Sequence, residues 1–564
     1  MKKALKNLLK LLLFIIICPI IFFSYDLIDF DNSYLNRSAI SFDIKNQNSR
    51  HTMHFTNNLR YYYLKISKII NPIYYKQKWE VESIETRALE DETKNKKITP
   101  VDYNKPIYNL NDYNIENNWF KSHGNNFSTR FSNLKQINIK NVNNLALAWK
   151  YTTPVISKKF IMNVQANPVF FKGLVISPNP ENQIVALDGS NGKVKWSFKI
   201  DDGIAAKRGL IIFDPKTLNK KKYKNSNPWL FFTNNRHQLF ALDITNGKPI
   251  KSFGRNGVIK TGLTPMPPII YKNNLVIVDT KSIIECYDIE DGKLKWKYRV
   301  NKTKNSIIFQ NFNKGSPWGG LSIDERRGLL FFNTGNPEQD HVGIDRPGPN
   351  LYANSVVAFD LNKKEIKWYF QEISHDLWNM DIAATPILSM IKKNDQLIDV
   401  VISISKTGNV IVLDRSNGKS LFDYKKIKAP MSDVPGERTS PYQITFPNND
   451  KVCRNNFKEE YLSNLPYVNR KELKERVKDL HFGFPSPPML KKEMLHLEGC
   501  ARWSGGSVDT DKNILYLNID QEPVIVSISK SRYWKGQYAY DVKPFRDKLK
   551  FPAIKPPWGA IVAF

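Results

Sequence analysis

An apolar alternating strand, a turn of the Asp-x-x-Asn-Gly kind and a second strand closed by a large aromatic recur along this chain. The fullest copy runs Ala186-Leu187-Asp188-Gly189-Ser190-Asn191-Gly192-Lys193-Val194-Lys195-Trp196. Worn copies centre on Asp243, Asp288, Asp360 and Asp414, at spacings of 55, 45, 72 and 54 residues, and the copy at Asp360 has lost its glycine. Such irregular spacing does not suit a solenoid but fits blades joined by loops of varying length. Each unit is a β-hairpin with one face to bury, and a hairpin is not stable alone. Radial stacking of four-stranded blades buries those faces and leaves few open edges, so the pattern predicts an all-β propeller. A further copy begins at Ala563-Phe564, as the chain stops.

Composition narrows the function classes. At 564 residues with 41% hydrophobic and 12% aromatic content, the chain can bury a large core and is not a disordered protein. The formal charge of +30 invites a nucleic-acid reading, but only 20 of the 84 basic residues are arginine and the lysines are spread evenly. Recognition surfaces cluster arginine with aromatics, so nucleic acid is not an expected partner. Lys2, Lys3, Lys6 and Lys10 precede an uncharged apolar run over residues 11–23, the plan of an export signal with its positive end in the cytoplasm. Residues 1–24 are read as an inner-membrane anchor, with a removed signal peptide as the alternative, and the rest as periplasmic.

Residues 25–115 form a polar, partly helical membrane-proximal segment on this reading, and the propeller occupies 116–564. Inside it, 424–498 is a long insertion with a predicted helix over 469–480. Cys453 and Cys500 flank that insertion and can pair in an oxidising compartment, whereas Cys286 reads as a buried hydrophobe. No Cys/His spacing resembles a zinc site.

The phrases Asn118-Trp119, His123-Gly124, Arg130-Phe131-Ser132, Trp318-Gly319-Gly320, Thr334-Gly335-Asn336-Pro337, His375-Asp376-Leu377-Trp378, Lys406-Thr407-Gly408-Asn409 and Trp558-Gly559 occur in this order. Together they resemble the PQQ-dependent quinoprotein dehydrogenases, in particular the membrane-bound glucose dehydrogenase branch. The resemblance implies an eight-bladed propeller holding pyrroloquinoline quinone (PQQ) in its central funnel above a Ca2+ or Mg2+ ion, here lacking about its last blade. PQQ is a flat tricarboxylate, so its site needs cations and an aromatic floor. By the resemblance, Arg208 pairs with a PQQ carboxylate, Trp318 stacks on the quinone and Lys406 hydrogen-bonds the ortho-quinone oxygens. Asn336 offers an amide oxygen suited to a hard cation. Gln165 stands where relatives often carry Glu, and Asn518 where some carry a cofactor-binding Asn.

Three departures qualify that picture. The Asp that follows the Trp of the His-Asp-Leu-Trp phrase is the proton-accepting base in the relatives and lies by the metal; here that position is Asn379, whose neutral amide cannot accept a proton. Asp376, Asp381 and His375 are nearby candidates to replace it. The segment with the usual acidic metal ligand is shortened, leaving Asp279 as a stand-in. The chain also ends before the ring closes. The leading expectation is oxidation of a glucose-like aldose or an alcohol, with electrons passing to membrane ubiquinone or another respiratory acceptor. The alternatives are a non-catalytic envelope scaffold and a split enzyme whose last blade comes from a separate polypeptide.

Overall fold

The computed structural model describes residues 118–153, 164–300, 315–446, 453–454, 457–465, 468–531 and 538–564. Ser531 apart, these belong to one unit comprising Asn71–Lys530 and Tyr538–Phe564. The anchor and the whole membrane-proximal segment, 25–115, lie outside the described residues, among which no helix is long and apolar enough to cross a membrane.

Four sheets are four-stranded antiparallel meanders in chain order. The first holds β1 (Val169–Phe171), β2 (Leu174–Pro178), β3 (Gln183–Asp188) and β4 (Val194–Lys199). The second holds β5 (Ile211–Phe213), β6 (Trp229–Thr233), β7 (Gln238–Asp243) and β8 (Val258–Lys260). The third runs from β9 (Ile269–Tyr271) through β10 (Asn274–Val278) and β11 (Ile283–Asp288) to β12 (Leu294–Arg299). The fourth comprises β13 (Leu321–Asp324), β14 (Leu329–Asn333), β15 (Ser355–Asp360) and β16 (Glu365–Gln371). A fifth, of three strands, is built from β17 (Ile387–Lys393), β18 (Gln396–Ile404) and β19 (Val410–Asp414).

The sequence phrase sits on the turn that follows the third strand of each sheet. There the Asp side chain accepts the N–H two residues on, as Asp188 does from Ser190 at 2.9 Å and Asp243 from Thr245 at 2.8 Å. Gly192, Gly247, Gly292 and Gly418 all adopt positive φ, and in the copy without glycine Lys364 takes that conformation at φ 58°. Where the last strand of a sheet carries a tryptophan, that ring packs on the turn of the next sheet. Trp196 donates from Nε1 to the Ile244 carbonyl at 2.9 Å, and a Cβ at Gly247 would lie 2.5 Å from its ring. Trp368 meets Arg415 and Gly418 in the same way, at 3.1 Å and 2.7 Å. Where the glycine is lost, Trp296 stacks on Phe359 and carries Lys364 over its face.

Five apolar clusters are each shared by successive sheets: Ile176 with Phe232, Phe231 with Ile277, Val276 with Leu330, Phe331 with Val401, and Val400 with Leu517. Stacking of sheet on sheet in chain order is the packing of a propeller, as the repeat predicts.

The insertion is partly structured. It holds a hairpin of β20 (Lys425–Lys428) and β21 (Tyr442–Thr445), then a helix, α1 (Arg470–Val477), capped by Asn469. Its last part, β22 (His481–Phe482) and β23 (Met494–Cys500), joins a sixth sheet with β24 (Gly506–Asp509), the long β25 (Ile514–Lys530), β26 (Tyr538–Pro544) and β27 (Gly559–Ala563). Cys453 and Cys500 are disulfide-bonded, and Cys286 is buried and free.

Candidate active site

Connections from the second, fourth, fifth and sixth sheets converge on one polar cluster, whose hub is Asp381 in the β16–β17 connection. Its Oδ1 accepts the Asn336 backbone N–H at 2.9 Å and the Trp318 Nε1–H at 3.4 Å. Its Oδ2 lies 2.5 Å from Lys406 Nζ. A side chain at Gly335 would put a Cβ 2.2 Å from Asp381 Oδ1, so glycine is what lets the β14 end approach the carboxylate. Lys406 sits at the β18–β19 turn, its side chain 10% exposed. It donates to both the carbonyl and Oδ1 of Asn379, each at 3.0 Å, and stands 4.0 Å from Glu498 Oε1. Burial alone would strip its charge, but the Asp381 and Glu498 carboxylates outweigh that and hold its pKa above the ordinary lysine value. Asn379 completes the circuit by donating from Nδ2 to Glu498 at 3.1 Å. Asn336 turns its own amide onto Asp340, 2.6 Å away.

The loop that carries Lys406 is tied down from beneath by Glu372, which is fully buried. Its Oε1 accepts from Ser405 at 2.9 Å, Thr407 at 2.6 Å and Asn409 at 2.7 Å, while Oε2 has no partner. Burial raises this carboxyl from 4.5 to about 7, the three hydrogen bonds only partly opposing the shift. Between those two values the folded chain keeps a proton that the unfolded chain has lost. Stability from this group is therefore present at low pH and falls as pH rises towards and through 7. Glu372→Gln is expected to flatten the loss of melting temperature between pH 5 and pH 8 relative to the wild type; parallel curves would exclude this role.

Arg208, just before β5, supplies the cationic side. Its guanidinium lies between two indoles, 4.7 Å from the Trp318 ring centroid and 4.4 Å from that of Trp503, and it is 8% exposed. Its Nε and Nη1 are buried without a partner. Burial pulls its pKa down, as it does that of Arg130, and it draws Lys121 down to about 7 with Arg130 assisting. His123 is lowered by burial first and then by Arg130, Lys121 and Arg208, and its Nδ1 is also unpartnered. Burial thus disfavours the charged forms of Arg208, Arg130 and Lys121 and keeps His123 neutral beside them. Unmatched buried positive charge beside an aromatic slot fits a flat polycarboxylate such as PQQ.

A divalent cation finds a different donor set. Among the described residues no group of three or more His, Cys, Asp or Glu side chains is placed to hold a metal ion. Such an ion would rely on the amide oxygens of Asn336 and Asn379 with a carboxylate of Asp381 or Glu498.

The sequence candidates thus divide. Arg208, Trp318, Asn336, Asn379, Asp381 and Lys406 come together. Asp376 does not act with them as a base: it is fully buried, with Oδ1 held by the Trp378 N–H at 2.7 Å and Oδ2 by the Met380 N–H at 2.7 Å and Asn354 at 2.8 Å. His375 is closed off between the Gly348 carbonyl at 2.9 Å and Glu437 at 2.7 Å. Asp279 caps its own turn through the Lys281 and Ile283 N–H groups. Asn518 lies exposed on β25, opposite Ile561 and facing away from its buried neighbours Leu517 and Ile519. Gln165 has a buried, unpartnered Oε1. Trp503 and Glu498 were not singled out by the sequence and stand far along the chain from the phrases that carry the pattern; Asp340 was not singled out either, although it follows the Thr334–Pro337 phrase by three residues.

The comparisons agree with this geometry. A PQQ family model, "glucose/ethanol/alcohol dehydrogenase, beta-propeller domain", matches residues 119–564. Quinoprotein glucose dehydrogenase A of Acinetobacter calcoaceticus is 25% identical over 503 residues, covering 77% of this chain and 63% of the relative. Quinoprotein glucose dehydrogenase of Escherichia coli (strain K12) is 28% identical over 353 residues, 56% of this chain and 44% of the relative. The chain therefore spans less than two thirds of the length of these relatives. A europium-containing methanol dehydrogenase superposes with a TM-score of 0.54 at 16% identity, over 80% of this chain and 76% of that one, which is a likeness of fold. With its propeller stacking, its cation-and-indole slot and a family match across 119–564, the chain belongs to the PQQ-dependent glucose/ethanol/alcohol dehydrogenase β-propeller family.

Proposed function

We propose that this protein oxidises the CH–OH group of a glucose-like aldose or an alcohol with PQQ and a Ca2+ or Mg2+ ion. The observation that carries the reading is Arg208, a buried guanidinium with two unpartnered nitrogens between Trp318 and Trp503. PQQ, when bound, supplies an ortho-quinone that accepts a hydride. Arg208 would hold a carboxylate of that group, and Trp318 and Trp503, whose indoles flank the guanidinium, would line the site beside it. Lys406, kept cationic by Asp381, presents N–H donors to developing negative charge. Asn379 orients Lys406 but takes no proton.

Electrons pass on this reading to ubiquinone or another respiratory acceptor. The basic-then-apolar residues 1–24 support anchorage in the inner membrane with the propeller in the periplasm. The same reading makes the stacked sheets part of an eight-bladed ring, completed by strands from elsewhere in the protein or from a second polypeptide. Reconstitution of the full chain with PQQ and Ca2+ or Mg2+, followed by dye reduction with aldoses and with alcohols, tests the proposal. Retention of PQQ with turnover of either class supports it; failure to retain PQQ overturns it.

A further inference from the structure

We infer that residues 119–130 form a strip that positions the cation-and-indole slot, with Arg130 as its principal positioning residue, an assignment that rests on the functional reading above. The first strands β1, β5, β13, β17 and β24 each lie at the edge of their sheet, where backbone groups need partners from outside it. The strip supplies them. Phe170 of β1 accepts the Trp119 N–H at 2.7 Å, and Ile212 of β5 donates to the Phe120 carbonyl at 2.8 Å. The N–H groups of Ile323 in β13, Leu388 in β17 and Val508 in β24 donate to the carbonyls of Asn126, Phe127 and Thr129, each at 2.9 Å. One short stretch thus ties together the first, second, fourth, fifth and sixth sheets.

Its side chains hold the slot from the same track. Arg208, Trp318 and Trp503 occupy one equivalent position, three residues ahead of β5, β13 and β24 respectively. The strip grips the chain just after each of them. Ser122 Oγ accepts the Leu210 N–H at 2.9 Å, and Lys121 Nζ donates to the Leu321 carbonyl. Arg130 Nη1 donates to the Ser504 carbonyl and, at 3.2 Å, to that of Gly506. A single charged nitrogen therefore fixes the segment that follows Trp503 at two points, and charge-assisted hydrogen bonds are the stronger kind. Gly505 makes room for it, since a Cβ there would stand 2.9 Å from Arg130 Nη1. Arg130 itself adopts φ 51°, a conformation that persists in a non-glycine residue only where its surroundings impose it.

The test compares the full chain as wild type, Arg130→Gln, Gly505→Ala, Trp503→Ala, and Arg130→Gln with Trp503→Ala. Gly505→Ala keeps the arginine but displaces its guanidinium, and it carries the test where Arg130→Gln fails to fold. Without cofactor, amide hydrogen exchange over residues 503–506 is expected to be roughly tenfold faster in both Arg130→Gln and Gly505→Ala, about the worth of one hydrogen bond to a charged group. Exchange in the third sheet is expected to be unchanged. Equilibrium titration with PQQ is expected to weaken roughly 3- to 10-fold in Arg130→Gln, the range of one aromatic contact. Added to Trp503→Ala, the same change is expected to cost less than about twofold, because the two residues act through one contact. Unaltered exchange over 503–506 overturns the inference, whatever the cofactor does. A PQQ affinity that does not change, or that falls as far in the Trp503→Ala background, also overturns it. If the wild type binds no PQQ, the functional reading falls, and the exchange result still decides whether Arg130 holds Trp503 in place.

Discussion

Lys406→Ala is expected to abolish dye reduction and, in the same protein, to lower the free energy of unfolding by about 3–5 kcal/mol, the usual cost of removing one partner from a buried ion pair. Four contacts vanish together: two to Asn379 at 3.0 Å, one to Asp381 at 2.5 Å and the longer approach to Glu498 at 4.0 Å. Most of the cost comes from what is left behind. Asp381 retains only the Asn336 and Trp318 N–H groups to offset a buried negative charge. Thermal and denaturant unfolding of the cofactor-free protein measures this directly. Pairing Lys406→Met with Asp381→Asn separates the two roles, because neutralising both partners removes the uncompensated charge. The double variant is expected to recover most of the stability and none of the activity. A Lys406→Ala protein as stable as the wild type would mean that the ion pair is solvated, contrary to its 10% and 5% side-chain exposure.

Arg208→Met is expected to move two assays in opposite directions. In the cofactor-free protein the guanidinium is desolvated with Nε and Nη1 unmatched, so replacing it with an apolar side chain of similar reach is expected to raise the free energy of unfolding by about 1–3 kcal/mol. PQQ affinity is expected to fall roughly 10- to 100-fold, because a hydrogen bond to a charged group contributes about 1.5–3 kcal/mol. Melting curves with and without PQQ read both effects at once, since a ligand that binds only the folded state stabilises it in proportion to its affinity. The variant should melt higher than wild type without PQQ and gain less from adding it. A fall in apo stability would show that Arg208 is a structural cation instead.

The contrast between these residues shows what a sequence can and cannot carry. The turn phrase was legible because its chemistry is local: an Asp side chain meets an N–H two residues away, and a glycine supplies positive φ. Even the copy at Asp360 keeps the geometry, with Lys364 accepting the strained conformation. Arg208, Trp318, Asn336, Asp381 and Lys406 were named because they lie in or beside short phrases that resemble a family, although the fold pairs them across long stretches of chain. Glu498 and Trp503 stand in no such phrase, and no periodicity connects them to their partners Asn379 and Arg208. Asn518 failed for a related reason. On a strand, the side chain changes face at every residue, and an alignment uncertain by a residue or two does not fix the face. Asp376 shows a further limit: the residue type suits a base, but only the fold reveals that two backbone N–H groups and Asn354 already consume it.

The tryptophan-to-glycine contacts bear on how such a chain can evolve. Trp196 and Trp368 each close on the turn of the following sheet, through the same indole N–H and the same glycine. Because the joint lies between sheets, the first sheet receives Trp149 on its Gly192 turn and offers Trp196 to the next, whereas the Gly292 turn of the third is met by Ile259 and Phe253 instead. Where the tryptophan joint recurs, excision or duplication of a whole sheet leaves ends that match, whereas a cut within a sheet leaves a key without its lock. Change by whole sheets is then the least disruptive kind, while the site residues, drawn from several sheets, act as the ratchet that forbids most of those steps.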